Sequence, residues 1–175
     1  DLILEEGKKM GMLLTASPGF RARRIEGGLL SSSRDFTKDR TPFSVGLGRF
    51  INFAKGDFIG REYLINADKE CLTWGMRVEN SFAVVDTEIL KNNKKIGLVT
   101  SSTWSPYQVC GVSIVHMNDK KYGPGTIVEV LCNDGQLHKA EICKIPMYDS
   151  KGDIPRGLKE DIPNGPTPWQ GIKKN

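Results

Sequence analysis

The sequence predicts an α+β chain in which helices lead and a unit of short strands follows. Two observations carry that expectation. Helix-start and helix-stop residues punctuate the part before Lys69, and beyond it the apolar residues fall into six short runs separated by turn clusters. At that spacing, the runs fit a small antiparallel barrel or sandwich.

In chain order, the first helix is expected where Leu2, Ile3 and Met10 form an apolar stripe, with Lys8, Lys9 and Gly11 closing it. A second is expected from Ser17-Pro18, with serine as N-cap and proline at the first helical position, where its missing N–H costs nothing. It runs through Arg24 and stops at Gly27-Gly28. Residues 31–42 are polar and read as loop, leading to Pro42, Phe43 and a short apolar segment at Phe50-Ile51. A short helix is expected near Phe58, with Asp57 as its N-cap. The six β-like runs are Leu72 to Val78, Ala83 to Leu90, Ile96 to Trp104, Val109 to His116, Thr126 to Leu131 and Lys139 to Ile145. Between them stand Asn92-Asn93, Ser105-Pro106, Asn118-Asp119, Gly123-Pro124-Gly125 and Asn133-Asp134-Gly135, the last a strong hairpin signal. Trp74 and Trp104 fall on these strands and are expected to fill the core. The tail from Ser150, rich in proline and glycine, should be extended and packed only in places.

Composition narrows the function classes. A chain of 175 residues with 38% hydrophobic content can build one compact domain or two small ones. Its formal charge of +4 comes from 25 basic and 21 acidic residues without a block of like charge, which speaks against nucleic acid as a partner. The four cysteines are too widely spaced for a metal or redox pair, so free thiols in a reducing compartment are expected, with no metal site. No apolar run reaches the roughly eighteen residues of a membrane span, and no secretory signal pattern is present. A cytoplasmic protein is therefore expected, without membrane association. The chain opens in mid-helix without a methionine, as a piece of a longer protein would.

Glu26, between an arginine pair and a glycine pair, admits two readings. It could pair with Arg23 or Arg24 on the surface at a helix end, or it could serve a ligand. A carboxylate at a helix C-terminus is unfavourably placed against the helix dipole, so it needs an offset from arginine or from a ligand.

Several motifs occur in order: Arg24-x-Glu26-x-Gly28-Leu29, Asp35, Thr41-Pro42 with Gly46-Leu47, Asp57-Phe58-Ile59-Gly60-Arg61, Ile96-Gly97-Leu98-Val99-Thr100-Ser101-Ser102 with Ser105-Pro106, Pro124-Gly125-Thr126 and Ile145-Pro146. Over roughly residues 1–148 this resembles the C-terminal half of the glycine-cleavage T-protein (aminomethyltransferase) superfamily, which includes folate-dependent demethylases. The resemblance implies a mixed α/β folate-binding part over residues 1–66, a C-terminal six-stranded antiparallel β-barrel over residues 70–148, and an extended tail over residues 149–175. It implies tetrahydrofolate as cofactor, with a small methylated amine or sulfonium as substrate. Glu26 would clamp the pterin, and Arg24 would orient it. Lys55 and Arg61 flank the segment near the folate tail, whose carboxylates need cationic partners, although either could be ordinary solvated charge. The family's catalytic aspartate lies in an N-terminal half that this chain does not contain, so no catalytic residue is expected here, and that half is an expected partner.

The departures from the pattern also matter. Arg34 stands where a glycine usually precedes the aspartate, Leu30-Ser31-Ser32-Ser33 replaces a tyrosine and glycine, and Ser102 replaces the glycine of a Thr-Ser-Gly triplet, where a turn wanting positive φ would be rebuilt. Lys69 is the basic residue nearest an arginine that T-proteins often carry before the barrel. These changes point to a divergent paralogue, on the demethylase side. The function expected is thus the C-terminal portion of a folate-dependent one-carbon transferase. The alternative is a non-catalytic fragment or barrel module that binds folate or protein.

Overall fold

A computed structural model describes residues 2–154, 156–159 and 165–172. Three helices lead, α1 (Leu2–Lys9), α2 (Ser17–Glu26) and α3 (Arg61–Asn66), with 3-10 turns at Gly48–Phe50 and Phe53–Lys55. Six strands follow: β1 (Thr73–Val78), β2 (Glu88–Lys91), β3 (Lys94–Ser105), β4 (Cys110–Met117), β5 (Ile127–Leu131) and β6 (Leu137–Cys143). They close into a barrel in the order β1-β4-β3-β2-β5-β6, with every pairing antiparallel. The α+β class and the six-stranded barrel therefore stand.

β4 explains how the barrel meets the helices. All eight of its residues are buried, and successive side chains point to opposite faces. Val115 and Met117 join the barrel interior with Met76, Val99, Val130 and Ile142. Cys110, Val112 and Ile114 face outward, where Ile25 of α2 covers them together with Cys143 and Met147. A strand buried on both faces reads as an apolar run rather than as an alternation. Ile25 is fully buried, which is worth about 1.5–3 kcal/mol. At Gly111 the backbone packs so closely that a Cβ would come within 2.1 Å of the Ser81 carbonyl oxygen.

The turns follow their residues. Asn92 and Asn93 both take positive φ, 51° and 59°, as a two-residue hairpin between β2 and β3 requires. At the expected hairpin between β5 and β6, Gly135 has φ 78° and Cys132 N–H donates to the Gln136 carbonyl at 2.9 Å. β3 carries a register shift between Val99 and Ser101, a bulge that leaves Thr100 out of the regular pairing.

Several local expectations differ from the structure. The N-cap of α2 is Ala16, without a side-chain cap, so Ser17 is already helical and Pro18 follows it within the first turn. Asp57 does not cap α3, because the Phe58 carbonyl closes a turn with Arg61 N–H and Gly60, at φ 86°, redirects the chain so that the helix starts at Arg61. The second β-like run starts as an isolated bridge at Ala83, is interrupted by positive φ at Asp86 and becomes β2 only from Glu88. Ser102 lies inside β3 and outside the positive-φ residues, so no turn is rebuilt there. Among the described residues before Lys69, extended pairing is limited to a Ser32–Phe36 bridge, so that segment contributes the helical part of the fold. Leu2 and Ile3 of α1 are exposed, and Leu4 is half-buried. Trp74 packs against the barrel core, whereas Trp104 is half-buried. Lys69 lies over the Phe43 ring and donates to the carbonyls of Leu64, Ile65 and Ala67, closing the end of α3. All four cysteines are free thiols.

The described part of the tail packs where Thr167 N–H donates to the Tyr107 carbonyl at 2.7 Å and Trp169 N–H to the Gln108 carbonyl at 2.8 Å. No helix among the described residues is long and apolar enough to cross a membrane.

Candidate functional site

Glu26 ends α2 and is 1% exposed. Its neighbour Gly28 has φ 69°, and a Cβ there would meet the Ile145 side chain at 2.9 Å, so the helix must stop against the chain leaving the barrel. That chain clasps it, with Met147 N–H donating to the Glu26 carbonyl at 2.7 Å.

Only one oxygen of the carboxylate is hydrogen-bonded. Ser105 Oγ donates to Glu26 Oε1 and in turn accepts from Gln108 N–H at 2.9 Å. Oε2 is buried without a hydrogen-bond partner. The nearest cation is Arg23, whose Nη1 stands 3.6 Å from Oε2 but donates to the Tyr148 hydroxyl at 2.6 Å. Tyr107 and Tyr148 pack at 4.8 Å between ring centroids, and the Arg23 guanidinium lies 5.7 Å from the Tyr107 ring. Burial pushes the Tyr148 hydroxyl pKa up, and the negative charge of Glu26 adds to the rise. An ionised oxygen left this way inside protein is costly unless a donor reaches it.

Arg24 does not orient Glu26. Its guanidinium turns away, donating to Asp35 Oδ2 at 2.8 Å and to Ser101 Oγ at 2.8 Å. Residues two apart on a helix do not share a face, so the pairing suggested by Arg24-x-Glu26 fails on geometry. Asp35 is fully engaged, accepting from Thr100 Oγ1 and Ser101 Oγ at 2.7 Å each on Oδ1, and from Ser31 N–H at 2.8 Å on Oδ2. Neither Lys55 nor Arg61 bonds to Glu26 among the described residues. Lys55 stands over the Phe58 ring at 4.7 Å, and Arg61 keeps a buried Nε without a partner.

Two cavities flank this helix end. One, of about 570 Å³, is bordered by Arg77, Gln108, Met147, Tyr148 and Trp169. The other, of about 600 Å³, is bordered by Gly27, Gly28, Leu30, Trp74 and Pro146, and the Trp74 Nε1 donor is buried without a partner. His116 is held elsewhere, bonded through Nδ1 to Thr73 Oγ1 at 3.0 Å. Sequence reasoning missed Ser105 and Tyr148 as partners of this site. Ser105-Pro106 and Ile145-Pro146 among the ordered motifs were the available signals.

A family model for the glycine cleavage T-protein C-terminal barrel domain matches residues 74–149, the region that closes the barrel. With that match, the chain is similar to the C-terminal part of the glycine cleavage T-protein superfamily. Similar proteins include the aminomethyltransferases of Thermosipho melanesiensis, 32% identical over 157 residues, and Oceanobacillus iheyensis, 31% identical over 153 residues. The alignments cover 85% and 84% of this chain but 42% and 41% of those relatives, so the chain spans about two fifths of their length. The glycine cleavage system aminomethyltransferase T of Bartonella henselae shares the fold with a TM-score of 0.63 at 22% identity, over 74% of this chain and 38% of that one.

Proposed function

We propose that this chain is the C-terminal portion of a cytoplasmic, tetrahydrofolate-dependent aminomethyltransferase or demethylase, which moves a one-carbon group from an amine or sulfonium donor to folate. In that reading residues 1–66 end the folate-binding domain, residues 70–148 are the barrel domain, and residues 149–175 form the tail. The remaining length of the T-protein relatives would supply the catalytic carboxylate and the donor contacts.

The observation that carries the reading is Glu26 Oε2, buried and without a hydrogen bond, its one cation, Arg23, standing off at 3.6 Å. A pterin presents an adjacent ring N–H and amino group, and charge-assisted bonds to a carboxylate are the strong kind. Ser105 fixes the carboxylate through Oε1, which leaves Oε2 for the ligand. Lys55 and Arg61 remain candidates for the carboxylates of the folate tail. Tetrahydrofolate supplies N5 as the one-carbon acceptor, and holding donor and acceptor in register supplies much of the rate.

The test is calorimetric titration of tetrahydrofolate into the protein extended to the length of its relatives. Glu26→Gln exchanges one acceptor oxygen for a donor and should weaken binding by about 1.5–3 kcal/mol. Equal affinities would return Glu26 to a structural role. The alternative reading is a non-catalytic barrel module that binds folate or protein. Folate binding without one-carbon transfer by the extended protein would select it.

A further inference from the structure

We propose that the cavity between α2, the 31–35 loop and β3 is a binding site for the phosphate group of a small ligand. It measures about 340 Å³ and is bordered by Arg21, Arg24, Arg34, Ser31, Ser101 and Ser102. It lies on the Arg24 side of α2, separate from the Glu26 carboxylate.

The charge balance of the wall is one-sided. Arg24 is neutralised by Asp35, and all four contacts to that carboxylate come from Thr100, Ser101, Arg24 and Ser31 N–H. Asp35 thus has no lone pair left for the other two arginines. Arg21 and Arg34 form no ion pair or side-chain hydrogen bond among the described residues, so two guanidinium groups border the same cavity without a counter-charge. The first turn of α2 contains no acidic residue, and Ser17 within that turn also borders the cavity, so the positive end of the helix adds to the field.

Hydroxyl donors complete the lining. Ser102 is 6% exposed and accepts from Ser113 Oγ at 3.0 Å, which leaves its own proton for a ligand. Ser31 has its N–H committed to Asp35 and its hydroxyl free among the described residues. Two planar guanidinium forks with convergent hydroxyls match a tetrahedral, doubly charged oxyanion better than a single carboxylate. Phe20 and Val85 give the cavity an apolar border against which the organic part of such a ligand would rest.

The test is a titration of the isotopically labelled chain with inorganic phosphate, followed by amide NMR, with acetate at matched ionic strength as the second arm. Phosphate should produce saturable shifts at the Ser31, Ser101 and Ser102 amides. Arg21→Ala/Arg34→Ala should weaken its apparent affinity by about tenfold or more, since each lost charge-assisted contact is worth roughly that factor. Both arginines are exposed, so the melting temperature of the ligand-free double variant should match the wild type. Acetate should bind more weakly than phosphate. Shifts that grow without saturating, phosphate affinity unchanged in the double variant, or acetate binding as tightly as phosphate would each overturn the proposal.

Discussion

Burial sets the charge of His116 without any ligand. The ring is 6% exposed, and desolvation, reinforced by the positive charge of Arg40, pushes its pKa down to about 4. The folded state holds it neutral, whereas the unfolded chain protonates it near pH 6.5. Between those values the unfolded state binds the extra proton, so its contribution to stability is fully present above about pH 6.5 and is lost as pH falls toward 4, at up to about 1.4 kcal/mol per unit. Urea unfolding of wild type and His116→Gln from pH 7 to pH 4.5 should therefore show a shallower pH dependence in the variant. Parallel curves would mean that the carboxylates alone set the slope. At Glu26 the same principle of burial gives a second expectation. Ser105→Ala removes the hydroxyl that holds Oε1 and leaves a buried carboxylate with fewer donors, so the variant should lose about 1–3 kcal/mol in denaturant unfolding.

Helix α2 and the bulged strand β3 meet at Asp35 of the loop between them, which pairs with Arg24 and accepts from Thr100 and Ser101, and that joint has a measurable strength. Asp35→Asn puts an amide where Arg24 expects a carboxylate, and breaking such a pair costs about 3–5 kcal/mol. Chemical denaturation should show that loss, and a loss below 1 kcal/mol would mean that Thr100 and Ser101 alone hold the bulge. Elements were legible in the sequence where the information is local. All six strands and the Asn133-Asp134-Gly135 hairpin follow from short apolar runs and from residues that tolerate positive φ. Contacts between distant elements were not legible, because Ser105 and Glu26 are 79 residues apart and nothing local fixes their meeting. Arg24 was misjudged for a related reason: its neighbour in sequence is Glu26, but helical rotation sends it to Asp35 and Ser101. Asp57 resembled a cap only because the glycine turn after it could not be read as the true start of α3.

In the whole molecule, the barrel and its helical cover determine which groups solvent can reach. Burial pushes the Cys110 thiol up to about 12 and Cys143 up to about 11 and raises Cys132 and Cys71 as well, but Cys71 is half-buried where the other three are buried. The thiolate is the reactive form, so a disulfide-exchange reagent should label Cys71 first in the native protein and all four thiols after denaturation. Rapid native labelling of Cys110 would show that the α2 cover opens. The closure of the sheet has one more consequence. β1 and β6 are neighbours, with Gly75 beside Cys143, and the chain leaving β6 returns to the end of α2 through Met147. The barrel is therefore entered and left at a single seam, as a parcel is tied at one knot. A short linker could join its two ends, and new termini could be cut at the Asn133-Asp134-Gly135 hairpin, without undoing any of the six strand pairings.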